Sequence, residues 1–304
     1  MNDKFNRIRN FHQYAGLIIL FFWFSVVYGQ QKSDFKNLDV ALISQVNQGS
    51  SYITFPTDIG NMEPLMFEAN LIPNFILREN KTSRLVGVLT PQIIIRMYNE
   101  YSYPVRTPSY IPQVTAYYLI GKRTDKFMTT VFGRLAHHSN GQDDSLILDN
   151  GKINYISGDF ATNYMEFGGI LTSYNTHTNA VRFFKASFAY HPENSVHRLL
   201  GKIYSRHRIN LNFSAFKLPK KNKLDKADFS MDIKLNFLLG NMSDLPTFSS
   251  ERLQTSITFS YFPEFFEDFG LFVELYHGHD YYNVYYDKIR NIIRFGLMTN
   301  KLRF

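Results

Sequence analysis

A two-residue period runs through most of this chain and constrains its fold more than any other feature. Phe229, Met231, Ile233, Leu235, Phe237 and Leu239 alternate with Ser230, Asp232, Lys234, Asn236 and Leu238. In an extended chain this puts one apolar and one mostly polar face on opposite sides. Ile209 to Ala215 repeat the pattern, as do Leu253 to Tyr261, where Gln254, Ser256, Thr258 and Ser260 take the polar side. Strands are expected at 65–78, 83–98, 110–121, 127–139, 161–174, 179–190, 198–217, 228–241, 251–263, 269–280 and 289–304. Short turns such as Arg78 to Thr82 separate them, with longer polar loops at 140–160 and 240–250.

A soluble sandwich alternates too, so the period alone does not choose the solvent. The 304 residues include no Cys, which excludes disulfides and Cys-ligated metal sites. A mean hydropathy of −0.23 excludes a bundle of membrane helices, each of which needs an apolar run of about 20 residues. One apolar run exists, Ala15 to Gly29, behind Lys4, Arg7 and Arg9. It reads as a secretory signal peptide spanning 1–29, with an uncleaved anchor helix as the alternative. Removing it lowers the formal charge from +7 to about +5, a surplus compatible with solubility or with anionic lipid head groups.

Many of the expected strands exceed the globular norm of about 5–6 residues. Aromatics, 29 Phe and 20 Tyr, crowd their ends, and an export signal precedes them. Together these point to an all-β fold, a transmembrane antiparallel up-and-down β-barrel of about 12 strands. Closure requires an even number, so Ser50 to Ile59 is expected to join the eleven segments as the twelfth. Residues 30–49 then form a periplasmic N-terminal segment and 50–304 the barrel, ending on the aromatic Phe304.

The chemistry concentrates at His137-His138-Ser139-Asn140-Gly141. Residues two apart on a strand share a face, so His137 and Ser139 belong with Val131 and Leu135 on the apolar exterior, while Arg134 and His138 point into the lumen. An imidazole beside a hydroxyl can take its proton as it attacks an ester carbonyl, provided a third group holds the ring. A base and nucleophile facing lipid suit an enzyme whose substrate is the lipid.

The HxSNG stretch resembles the signature of the outer-membrane phospholipase A family, in which the His and Ser are catalytic. Pro104-Val105-Arg106, followed by Tyr110-Ile111-Pro112, is similar to the family's PxR…YxP segment. The resemblance implies a phospholipase A1, with A2 and lysophospholipase activity, in the bacterial outer membrane with its site near the outer leaflet. It implies Ser139 as nucleophile, His137 as base and an Asn early in the next strand as the third member. Asn163 shares the outward parity of Met165, Phe167 and Leu171 and is preferred; Asn150, Asn154 and Glu166 are the alternatives. The resemblance further implies an oxyanion donor at the Gly141 N–H, a homodimer when active, and a calcium ion shared between two subunits. The calcium ligands map onto the Gln142 carbonyl and Ser102. The family's loop Ser has no clean counterpart in the longer 140–160 loop, where Asp143, Asp144 and Ser145 are substitutes. Ordinary solvated loop acids are the other reading of that pair.

Two rival functions remain open from sequence. A lipid A 3-O-deacylase-like barrel also carries HxSN, with an acidic third member, but is a shorter chain. A non-catalytic porin or structural barrel would make the motif accidental. His277 and His279 are read as rim residues in preference to a metal site. Lys220 to Lys223 is read as a periplasmic turn.

Overall fold

The computed structural model describes residues 38–302 apart from 56–57, 124, 126, 197–199, 203, 220–225, 241 and 243–244. The signal-peptide segment, the Lys220 to Lys223 turn and the terminal Phe304 lie outside the described residues.

A single antiparallel sheet closes on itself. β1 (Tyr52–Thr54) and β2 (Ile59–Gly60) both pair with β14 (Ile289–Thr299), so together they form one interrupted stave. β3 (Leu65–Leu71) and β4 (Phe75–Leu77) both pair with β5 (Leu85–Tyr98) and form a second, broken near Pro73, which has no N–H to give to a ladder. Each of β6 (Ser109–Ile120), β7 (Met128–Ser139), β8 (Ala161–Asn175), β9 (Ala180–Tyr190), β10 (His207–Lys217), β11 (Phe229–Leu239), β12 (Leu253–Tyr261) and β13 (Phe269–His279) lies beside its sequence neighbours. β1 meets β3 on one side and β14 on the other. The result is a closed twelve-staved up-and-down barrel whose twelfth stave comes from the stretch expected at Ser50 to Ile59.

Two expected strands are shorter than their alternation suggested. The strand expected from 198 begins only at His207, because Leu200 and Tyr204 are buried in the cluster at the loop end instead of facing outward. The last strand stops at Thr299; the Asn300 N–H still donates to the Asp268 carbonyl beside β13, and Leu302 is buried in the interior.

The apolar face of each strand is the outer one. Val114, Tyr118, Val131, Leu135, Phe167, Leu171, Phe259 and Leu275 are exposed, whereas Gln113, Thr115, Thr130, Ser256 and Thr258 are buried. Polar inside and apolar outside inverts the water-soluble arrangement and suits lipid as the surrounding solvent.

The lumen is filled. α1 (Val40–Gln48), within the stretch 30–49 read from sequence as a periplasmic segment, lies inside the barrel against β5 and β6. Its Val40, Leu42, Ile43 and Val46 pack with Val86, Tyr117, Leu119, Phe132, Phe183 and Phe216. At the opposite end, where the loops 99–108, 140–160 and 280–288 converge, Leu146, Phe160, Leu200, Tyr204, Tyr282, Val284, Tyr285 and Tyr286 form a second apolar cap. Between the two plugs runs an ion-pair network. Arg96 holds Glu68 at 2.7 Å and Asp280 at 2.8 Å, and Arg294 reaches Glu68 at 2.6 Å. A cavity of about 320 Å³ lies beside it, with His138, Glu166, His191 and Arg208 in its wall.

Candidate active site on the outer face

β7 and β8 pair in a register that sets His137 opposite Asn163 and Ser139 opposite Ala161. His137 is half-buried and Asn163 exposed, both on the outer face with Leu135 and Phe167. The His137 Nδ1 lies 2.7 Å from the Asn163 Oδ1. A carbonyl oxygen only accepts, so Nδ1 carries a proton and, in the neutral ring, Nε2 is the acceptor. Ser139 follows two residues along the same face, at the end of β7. The other three candidates for the third position are occupied elsewhere. The Asn150 Oδ1 accepts the Lys152 N–H, and the Asn154 Oδ1 accepts the Ile156 and Ser157 N–H groups. Glu166 points inward to Arg134 at 2.9 Å and Lys185 at 3.2 Å.

The inner side of the same wall is braced. Arg134 donates to Gln48 on α1 at 3.1 Å, Gln48 donates to Thr115 at 3.1 Å, and Asn47 donates to the Tyr117 hydroxyl at 2.7 Å. The plug helix is thus hydrogen-bonded to the two strands, β6 and β7, nearest the His–Ser pair. His138 is buried, as its parity requires, with its ring edge against Phe160 at 4.9 Å between centroids.

Asn140 fixes the loop that follows. It is 1% exposed; its Nδ2 donates to the Gly158 carbonyl at 2.7 Å, and its Oδ1 accepts the N–H groups of Phe160 at 3.0 Å and Gln142 at 3.3 Å. One side chain therefore clamps both ends of the 140–160 loop. Gly141 has φ +67°, a left-handed conformation that costs a side-chain-bearing residue about 1 kcal/mol or more. A Cβ there would also lie 3.4 Å from the Tyr110 ring. The Gly141 N–H donates to none of the described residues, which leaves it available to an incoming oxyanion.

Tyr110 is a residue the sequence reading quoted in its motif without giving it a role. It sits opposite Ser139 on β6 and its ring lies against the Gly141 position, so it flanks Ser139 from the strand opposite β8. An outer-face groove of about 440 Å³ starts beside His137 and Asn163 and is walled by Leu89, Pro112, Val114, Leu135, Met165 and Pro192. Its lining suits a hydrocarbon chain.

The expected calcium ligands are not gathered in one chain. Ser102, Asp143, Asp144 and Ser145 are exposed and Gln142 is half-buried. The Ser145 hydroxyl donates to the Ile147 carbonyl at 2.8 Å. Ser102 shares the barrel end of residues 142–145 but forms no hydrogen bond with them. No group of three or more His, Asp or Glu side chains among the described residues is placed to hold a metal. The donors are hard oxygens of the kind calcium prefers, yet one chain leaves the set open, so they fit an ion only if further ligands come from outside the chain. At the other candidate metal position, His277 pairs with Asn291, His279 is buried against the Tyr286 carbonyl, and Asp280 pairs with Arg96 and Arg290.

No protein-family model and no curated protein matches the sequence. Solved structures do. The outer membrane phospholipase A from Escherichia coli superposes with a TM-score of 0.57 at 13% identity, over 86% of this chain and 97% of that one. The Salmonella typhi outer membrane phospholipase, solved as a dimer with bound calcium, gives 0.55 at 13% identity over 89% and 94%. An active-site Asn→Ala mutant of the Escherichia coli protein gives 0.54 at 14% over 90% and 95%. The chain therefore has the fold of the outer-membrane phospholipase A barrels, across nearly their whole length.

Proposed function

We propose that this chain is an outer-membrane phospholipase that hydrolyses the acyl ester bonds of glycerophospholipids. The observation that carries this reading is the 2.7 Å His137–Asn163 contact on the outer face, with Ser139 two residues along the strand. The Ser139 Oγ attacks the acyl carbonyl while its proton passes to the His137 Nε2, and Asn163 keeps the Nδ1–H tautomer in place. The tetrahedral oxyanion takes a hydrogen bond from the Gly141 N–H. Collapse expels the glyceryl oxygen, which receives the proton from His137 and leaves an acyl ester on Ser139. Water, deprotonated by the same imidazole, then releases the fatty acid. The groove between Leu89 and Met165 receives the acyl chain.

Calcium, when bound, supplies positive charge and an ordered water to the oxyanion site. Gln142, Asp143, Asp144, Ser145 and Ser102 would hold it, with ligands drawn from two copies of the chain. The superposed Salmonella phospholipase is a calcium-bound dimer, which favours a homodimer here. The short turns at 78–84, 121–127 and 176–179 mark the periplasmic end and the long loops the outer end. A porin reading is disfavoured by a lumen blocked by α1 at one end and a loop cap at the other. A lipid A deacylase reading is disfavoured because the residue facing His137 is a neutral Asn. Labelling of the detergent-solubilised chain by an alkyl fluorophosphonate tests the nucleophile. One adduct on Ser139 supports the reading; unlabelled Ser139 in a folded barrel opposes it.

A further inference from the structure

A second His–Asn pair stands on the outer face, and nothing in the proposed hydrolytic mechanism uses it. β13 and β14 pair with His277 directly opposite Asn291, and the His277 Nδ1 lies 2.5 Å from the Asn291 Oδ1. On its other side His277 faces Thr255 of β12, which shares the outward parity of Ile257 and Phe259. The three polar side chains sit at the loop end of the barrel, as His137 and Asn163 do, but six staves away in a ring of twelve, hence on the opposite side. Below them the outward face is apolar, with Leu275, Val273 and Leu271 all exposed.

Hydrolysis is not the use of this pair. The position that corresponds to Ser139, two residues beyond the base, is His279, which is buried and bonded through Nδ1 to the Tyr286 carbonyl at 2.9 Å. What the site does offer is complementary polarity. With Nδ1–H donated to Asn291, the His277 Nε2 is an outward acceptor, while the Asn291 amide and the Thr255 hydroxyl are donors. An acceptor beside two donors matches a head group that carries an ammonium and a phosphate together.

A place for the tail lies on the same face. A groove of about 500 Å³ runs between β11, β12 and β13, walled by Phe229, Met231, Phe259, Leu271 and Val273, and its surface is almost wholly apolar. Val273 is four residues from His277, about 13 Å along the strand at roughly 3.3 Å per residue. That distance suits a glycerol backbone and upper acyl chain lying over Leu275.

We propose that Thr255, His277 and Asn291 form a non-hydrolytic binding site for a zwitterionic, ethanolamine-type glycerophospholipid, whose acyl chain occupies the groove at Leu271 and Val273. The proposal rests on the membrane-barrel reading and not on Ser139.

The test uses the full chain carrying Ser139→Ala, which removes the proposed nucleophile, in vesicles of phosphatidylethanolamine and phosphatidylglycerol. A phosphatidylethanolamine probe with a photoactivatable acyl chain is cross-linked, and the labelled peptides are identified by mass spectrometry. Labelling is expected to concentrate on peptides holding Phe259 and residues 271–275, severalfold above those holding Phe188 or Ile209. It should fall to that background in His277→Leu/Asn291→Leu. Val273→Trp fills the groove while leaving the polar trio intact, and should lose the same labelling even if the double variant does not fold. A matching phosphatidylglycerol probe should label this face more weakly. Even labelling around the barrel, or labelling unchanged by Val273→Trp, overturns the proposal. Fatty-acid release by His277→Leu/Asn291→Leu with Ser139 intact is expected at the wild-type rate. A chain inactive toward every phospholipid would therefore contradict the hydrolytic reading without touching this one.

Discussion

His137 and Asn163 face each other across β7 and β8 with Nδ1 and Oδ1 2.7 Å apart, on an outer face where Leu135 and Phe167 beside them are exposed. In the proposed mechanism this contact orients the base, so its loss should act on turnover. Asn163→Ala is expected to lower kcat by about ten- to a hundredfold with little change in KM. A hydrogen bond to a group that becomes charged contributes about 1.5–3 kcal/mol, and each ~1.4 kcal/mol of barrier is tenfold in rate. Fatty-acid release from mixed micelles measures it; an unchanged kcat would remove Asn163 from the mechanism.

Asn140 is the clamp of the adjoining loop through three hydrogen bonds at 2.7, 3.0 and 3.3 Å. Asn140→Ala leaves buried backbone groups unpaired, at a cost of about 1–3 kcal/mol each. Limited proteolysis should cut within 140–160 much faster than in the wild type while the strands stay protected. A wild-type digestion pattern would contradict the clamp.

The network around Glu68 makes a different prediction. Arg96 and Glu68 are 2.7 Å apart with side chains only 1% and 0% exposed, so removing Arg96 leaves the buried network, in which Glu68 keeps Arg294 and Asp280 keeps Arg290, with one negative charge in excess. Arg96→Met is expected to destabilise the barrel by about 3–5 kcal/mol, read as a lower urea midpoint in detergent. Adding Glu68→Gln should restore part of the loss. If the double variant is no more stable than Arg96→Met, the pair is not coupled.

Acid should loosen the loop end through Glu63. Burial works to raise its pKa, but the hydrogen bond from Lys288 at 2.7 Å and the Arg290 charge outweigh it and hold the carboxyl below its ordinary value. A carboxylate with a depressed folded pKa contributes stability above its unfolded value of about 4.5 and loses it as pH falls through the folded value. Wild-type thermal stability should therefore drop below about pH 4.5, and less steeply in Glu63→Gln. Parallel curves for the two proteins would contradict the assignment.

The barrel was legible because alternation is a local signal repeated many times. The closing stave at Ser50 to Ile59 followed from the need for an even count. α1 was missed because nine residues, VALISQVNQ, give too short a helical period to stand out. Its end signals were present, in Asp39 capping the Leu42 N–H and Gly49 following at φ +100°. Residues 198–206 misled because Leu200 and Tyr204 are apolar for a loop-cap core rather than for lipid. At the site, parity assigned His137, Ser139 and Asn163 to one face, and His137 and Asn163 are in contact there. The clamp role of Asn140 and the flanking of Ser139 by Tyr110 depend on contacts across 18–20 residues or between strands, which spacing does not encode. The expected calcium ligands are the least legible part, since Ser102 and residues 142–145 form no hydrogen bond with one another within the chain.

Ser139 is the residue on which the whole reading turns. Fatty-acid release from phospholipid in detergent, compared between the wild type and Ser139→Ala with calcium and with a calcium chelator, tests it directly. The wild type with calcium is expected to release fatty acid, the chelator to suppress that release, and Ser139→Ala to abolish it, with the variant retaining its folded-barrel mobility on a gel. Equal release by the two proteins would contradict a mechanism in which Ser139 attacks the ester.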